Sequence, residues 1–216
     1  MELLNVVTAR AIWLLDMNEL NPSGKNLFPE LIEWLGDEYH FEKRPSSVTD
    51  VDDTKALVFS RGQFQAREEI FIAVEMKIYN DGIVANTWSS THDSEAFLAD
   101  VISSAKRDFS LAFRENDVRR LYLSELNVHS SINLPSLNPK LIEFSDKISK
   151  LAKHDFEFAG ISFWPRQNYP PNNIPAFSLE RKVKSDCSEN KYFSRASFHT
   201  DDHLKIVEEM ERDFTS

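Results

Sequence analysis

The sequence predicts an α+β fold built from two pseudo-repeats of a β-α-β-β-β-α unit, with mainly antiparallel sheet and helices packed on one face. Three observations carry that expectation. Residues 27–34 read LFPELIEW and residues 137–144 read LNPKLIEF, sharing a Pro-x-Leu-Ile-Glu-aromatic string. One extended apolar segment precedes each string and three follow it. Each half then closes on an amphipathic helix entered through polar, acidic residues. Residues 1–115 and 116–216 form the two pseudo-repeats of a single globular domain, since repetition of order and spacing marks duplicated units.

The first strand of each half is expected at 9–17, where Ile12 and Leu14 alternate with Trp13 and Leu15, and at 119–128, with Leu121 and Leu123 on one face. Pro29 and Pro139 then open a helix, because proline in the first turn forfeits an N–H that would have no partner there. Strands at 56–66, 70–79 and 83–89 follow in the first half. The last two are joined by Asn80-Asp81-Gly82, residues that tolerate the positive φ of a tight hairpin. In the second half the strands are expected at 156–164, 176–183 and 192–198, with longer connections that carry Pro165, Pro170, Pro171 and Pro175.

The closing helices are read from Leu98, Val101, Ile102, Ala105 and Phe109, and from Leu204, Val207 and Phe214. Their entries are 91–95 and 199–202, where Ser or Thr caps free amides and carboxylates complement the helix dipole. The matched prolines are 110 residues apart, and Ser94 and Thr200 are 106 apart. Along 70–79, Ile72, Val74, Met76 and Ile78 face one way, and Phe71, Ala73, Glu75, Lys77 and Tyr79 the other, leaving a half-apolar open face.

In element order the chain resembles the duplicated α+β modules of the TATA-binding-protein-like and sliding-clamp folds, which also repeat a β-α-β-sheet unit about a pseudo-two-fold axis. The likeness covers order alone. Neither family's sequence motifs are present, the acidic first half departs from a basic DNA-facing surface, and no residue role is carried over.

Composition narrows the function classes. Hydrophobic residues make up 41% of the 216, with sixteen Phe and four Trp, enough apolar surface to offset the entropy of ordering the chain. Residues 1–20 lack a basic leader region, and Asn5, Thr8, Arg10 and Asp16 break their apolar run, so a cytoplasmic protein with no membrane association is expected. Cys187, the single cysteine, stands among acidic and polar neighbours and reads as a bystander. The net charge is −10, with 11 basic against 20 acidic residues in 1–115 and 14 against 15 in 116–216. Nucleic-acid binding needs basic surface to displace counterions. The one basic cluster is Arg181, Lys182, Lys184, Lys191 and Arg195, so the expected partner is another protein, with no nucleic acid; whether a small molecule also binds is left open.

Catalytic signatures are missing: the chain has no Gly-x-Ser-x-Gly, no phosphate-cradling glycine loop and no His-Glu-x-x-His. No cofactor is expected. His199, Asp201, Asp202 and His203 could ligate a metal if the helix began before His199, since i and i+4 share a face. With the helix starting at Thr200, the cluster reads instead as a capped start with a solvent histidine. Glu75 with Lys77, and Glu180 with Lys182, read as cross-strand charge ladders. Asp50, Asp52 and Asp53 read as a solvated linker or as an attraction for a basic partner.

Residues 163–175 mix Trp164, Arg166, Tyr169 and Ile174 with four prolines. Such residue types dominate interface hot spots, and stiff loops lose less entropy on docking. Two readings follow: a recognition loop, or a crossover with Trp164 ending a strand inside the core. The functional expectation is a non-catalytic protein-binding module, an inhibitor, immunity or antitoxin-like protein or an accessory subunit of a bacterial defence-type assembly, bound through Trp164, Arg166, Tyr169 and Ile174. The alternatives are a metal-dependent hydrolase or nuclease using the His199 cluster, and nucleic-acid binding across the open sheet face.

Overall fold

The computed structural model describes residues 1–16, 20–21, 27–45, 56–131, 133–166, 175–185 and 187–215. Among them are eight strands, four α-helices and three short 3-10 turns, an α+β architecture in which the paired strands run antiparallel. In chain order the elements are β1 Glu2–Leu14, α1 Phe28–Glu38, β2 Leu57–Arg67, β3 Ile70–Tyr79, β4 Gly82–Thr87 and α2 Thr91–Phe109. There follow β5 Arg119–His129, α3 Pro139–Ala152, β6 Gly160–Phe163, β7 Phe177–Arg181, β8 Lys191–Ala196 and α4 Thr200–Thr215. The chain divides into two compact units, residues 8–123 and residues 1–7 with 124–216.

In the unit 8–123 the strand order is β2-β3-β4-β1. Val74, Met76 and Ile78 of β3 join Ala11, Trp13, Phe59, Ile83 and Ala85 in one buried cluster, into which α1 sends Ile32 and Leu35 and α2 sends Phe97, Leu98, Val101 and Ile102. Each fully buried Val, Leu, Ile, Met or Phe side chain among them contributes roughly 1.5–3 kcal/mol. Rings interlock at its centre: Tyr39 stands edge-on to Phe97 at 5.0 Å, and Phe41 lies 5.3 Å from Phe59. Burial, and then the 2.8 Å hydrogen bond to Asp100, hold the Tyr39 phenol well above its ordinary pKa.

The buried face of β1 in this unit is Ala9, Ala11 and Trp13; Ile12 and Leu14 are half-buried. The strand begins at Glu2 and ends at Leu14, earlier at both ends than the sequence suggests. Tyr79 pairs with Gly82, so the β3–β4 turn has two residues, Asn80 and Asp81. Neither adopts positive φ. Gly82 is required for a different reason: a Cβ there would lie 2.4 Å from the carbonyl oxygen of Trp13, on the neighbouring strand.

Ser90 caps α2 by accepting from Asp93 N–H at 3.0 Å. Residues 91–95 are therefore already helical, and the two closing helices start at Thr91 and Thr200, 109 residues apart. Ser94, in the first turn of α2, donates to Ala9 O at 2.8 Å and lies 2.9 Å from Thr87 Oγ1, tying the helix to β1 and β4.

The unit 1–7 with 124–216 has strand order β5-β8-β7-β6. Its buried apolar cluster is smaller: Leu126, Val128, Leu134, Leu179, Tyr192 and Val207. On β5 the inward set is Ser124, Leu126 and Val128, displaced from the expected Leu121 and Leu123. Tyr192 OH accepts from Leu134 N–H at 3.2 Å, and Glu211 of α4 accepts from Ser131 N–H at 2.7 Å and from the hydroxyls of Ser130 and Ser131 at 2.9 Å. All three strands β6, β7 and β8 are shorter than the apolar runs that suggest them. Asn138 caps α3 by accepting from Lys140 N–H, Pro139 opens it, and Lys153 ends it in left-handed backbone at φ 56°. No residue of α3 is fully buried; Leu141, Ser145, Ile148 and Ser149 are half-buried along one side of it.

The expected charge ladders are absent. Glu75 stands across from Asn86, Lys77 across from Val58 and Val84, and Glu180 across from Gly160 and Phe193. Cys187 opens the 3-10 turn Cys187–Glu189. Asp50, Asp52, Asp53, Tyr169 and Ile174 lie outside the described residues. Among the described residues no helix is long and apolar enough to cross a membrane.

Candidate functional site

The site is built on β6, the last strand in its sheet among the described residues. Gly160 lets it pack closely on β7: a Cβ at that position would lie 2.6 Å from Leu179 O. Ile161 then pairs with Leu179 and packs on the core, and Phe163 pairs with Phe177 on the same side two residues later. The strand runs out as the side chains reach solvent. Phe163 is 57% exposed, and Trp164, immediately after it, is 77% exposed. Trp164 therefore does not end a strand inside the core; Pro170 and Pro171, on which the crossover reading also rests, lie outside the described residues. Arg166 is also exposed.

Behind the Phe163 ring is a run of packed rings. Phe163 lies 5.9 Å from Phe177, and Phe177 meets the His203 ring edge-on at 5.9 Å. His203 is fully buried, with Nε2 2.8 Å from Ser194 Oγ. The Ser194 hydroxyl donates to Ser178 O at 2.9 Å, so its oxygen accepts from a protonated Nε2 and Nδ1 carries no proton. Nδ1 has no hydrogen-bond partner. Burial pushes the His203 pKa down to about 4, which keeps the ring neutral near pH 7.

This arrangement revises the histidine cluster. The helix starts at Thr200, with His199 before it and His199 O accepting from His203 N–H at 2.9 Å. Asp201 and Asp202 are exposed, His199, outside the helix, is half-buried, and His203 points inward and is fully buried. The four side chains do not gather on one point. Both Ser194 and His203 are sealed from solvent, and their contact ties β8 to α4.

Three of the five residues of the basic cluster are ion-paired. Arg181 pairs with Glu157, Lys191 with Glu189, and Arg195 with Glu125 at 2.7 Å while lying 5.7 Å over the Phe193 ring. Such pairs leave little net positive field for phosphate.

The unit 8–123 has its own polar cluster. Glu95 accepts from Tyr122 OH at 2.9 Å and lies 3.4 Å from Arg120, whose guanidinium sits 4.8 Å over the Trp13 ring and 2.7 Å from Glu115. Burial, then the bond to Glu95, raise the Tyr122 pKa to about 12. A cleft of about 700 Å³ in the same unit is bordered by Leu15, Asp16, Leu20, Phe113, Arg114 and Asp117.

Sequence reasoning missed Phe144 and Leu151 of α3, which are 60% and 86% exposed. The seven-residue spacing of the stripe was readable; its failure to find a covering layer was not.

No family model matches the chain, and no curated protein matches it. Among solved structures it is similar to one titled Methanococcus jannaschii TBP, at 13% identity and a TM-score of 0.49, over 99% of this chain and 97% of that one.

Proposed function

We propose that the chain is a non-catalytic protein-binding module made of two copies of one β-α-β-β-β-α unit, with a partner surface on the second copy at Phe163, Trp164 and Arg166. The observation that carries it is the exposure of Trp164 beside Phe163 at the end of an edge strand. A large ring in water gains most by being covered, and tryptophan and arginine dominate interface energetics. Pro165 follows at once and restricts the backbone that presents the ring. Support for the duplication is internal to each unit: both run strand, helix, three strands, helix, and in both the first strand pairs with the fourth. The class we infer is an inhibitor, immunity or antitoxin-like protein, or an accessory subunit.

Selection of a displayed random-peptide library on the immobilised full chain tests the surface. Clones that bind wild type and lose binding to Trp164→Ala, with the melting temperature of the variant unchanged, support the reading. Clones that bind both proteins equally contradict it.

A further inference from the structure

We propose that the outer side of α3 is a second docking surface, one that takes an amphipathic helix of a partner protein whose apolar stripe is bordered by acidic residues. The proposal rests on the protein-binding reading but uses residues other than Trp164. Leu141, Phe144, Ile148 and Leu151 recur at i, i+3, i+7 and i+10, the spacing of a single seam along a helix. Leu141 and Ile148 are half-buried on the inner margin of that seam, while Phe144 and Leu151 form its exposed outer margin. None of the four belongs to the buried core of the unit.

The matching string in α1 behaves differently. There Ile32 and Leu35 are buried and Leu31 and Trp34 pack against the core, so the same Pro-x-Leu-Ile-Glu-aromatic sequence can be covered when a layer is available. A helix of 14 residues is marginal in water on propensity alone. Its stability comes from packing an apolar face, and here half of that face is still open.

Charge identifies the occupant. Lys140 and Lys147, both exposed, stand one heptad apart along the outer margin of the seam, while Glu143, Asp146, Lys150 and Lys153 lie farther round the helix, away from it. Lys140 and Lys147 hold the flanking positions whose charge selects a partner helix. A second copy of α3 in antiparallel register would set these lysines against their own counterparts, which like-charge repulsion opposes. An anionic bilayer is opposed by the net charge of −10 on the chain as a whole. An acidic amphipathic helix satisfies both the seam and the lysines.

Fluorescence anisotropy with two labelled three-heptad peptides tests this on the full chain. Both peptides carry the same leucine and isoleucine seam, one flanked by glutamates and the other by lysines. The acidic peptide is expected to bind at least about tenfold tighter than the basic one, and the combined Phe144→Ser and Leu151→Glu variant to lose that binding by a similar factor. Both residues are exposed, so the melting temperature of the variant should hold. Lys140→Glu with Lys147→Glu should reverse the preference between the peptides. Equal binding of both peptides, or acidic-peptide binding that survives the Phe144/Leu151 change, overturns the proposal. Flotation of the chain with phosphatidylserine vesicles, or sedimentation as a dimer, also overturns it if either is lost in the Phe144/Leu151 variant. Trp164→Ala should leave peptide binding intact. Failure of the peptides with Trp164-dependent capture preserved rejects this surface alone.

Discussion

His203 Nε2 lies 2.8 Å from Ser194 Oγ, and through Phe177 this buried contact supports the ring of Phe163 at the surface. A polar pair in the core thus stands directly behind the proposed binding edge. Its weakness is charge: a protonated His203 would be buried, and neither Ser194 nor the Phe177 ring can serve it as a counter-ion.

Stability should therefore fall with acid in a defined window. The unfolded chain protonates His203 near the ordinary 6.5, whereas the folded protein does so only near 4. Between those values the unfolded state binds more protons, so stability drops as pH falls from 6.5 to 4, by about 3 kcal/mol from this residue. Above 6.5 this contribution is constant. Urea unfolding at pH 7.5 and 4.5 should show wild type losing more stability than His203→Met, which keeps the volume and removes the titration. Equal losses in the two proteins would refute the assignment.

Ser94→Ala should destabilise the unit 8–123 by about 1–3 kcal/mol, because it removes the donor to Ala9 O and the contact with Thr87 Oγ1 in a buried setting. Ser94→Cys, retaining only a weak donor, should fall between. Denaturant midpoints of the three proteins check the order.

Gly82→Ala should cost about 1–3 kcal/mol, since its Cβ meets the Trp13 carbonyl oxygen at 2.4 Å and β1 and β4 must part to admit it. The penalty arises from crowding and not from φ. Hydrogen exchange at the β1–β4 amides should accelerate in this variant and remain unchanged at α4.

Much of the fold was legible where local chemistry and tertiary demand agree. Strand β3 alternates a complete inward set with a mixed outward set, and its ends at Ile70 and Tyr79 match the sequence reading. Pro29 and Pro139 mark the first turns of α1 and α3. What eluded sequence reasoning depends on packing at a distance. Residues 156–159 are apolar enough for a strand, yet β6 begins only at Gly160, where close approach to Leu179 becomes possible. His203 sits in the polar run Thr-Asp-Asp-His and gives no local sign of burial; the fourth position of the helix turns it inward while Asp201 and Asp202 stay in water. At the candidate surface the ring types were readable from 163–175, and the exposure of Trp164 was not.

The affinity of the full chain for a peptide selected on it, compared between wild type and Trp164→Ala, tests the central claim most directly. The account predicts a loss of at least about tenfold with an unchanged melting temperature, as expected for an exposed ring that anchors a partner. An affinity equal to that of wild type, or a variant that fails to fold, would contradict it.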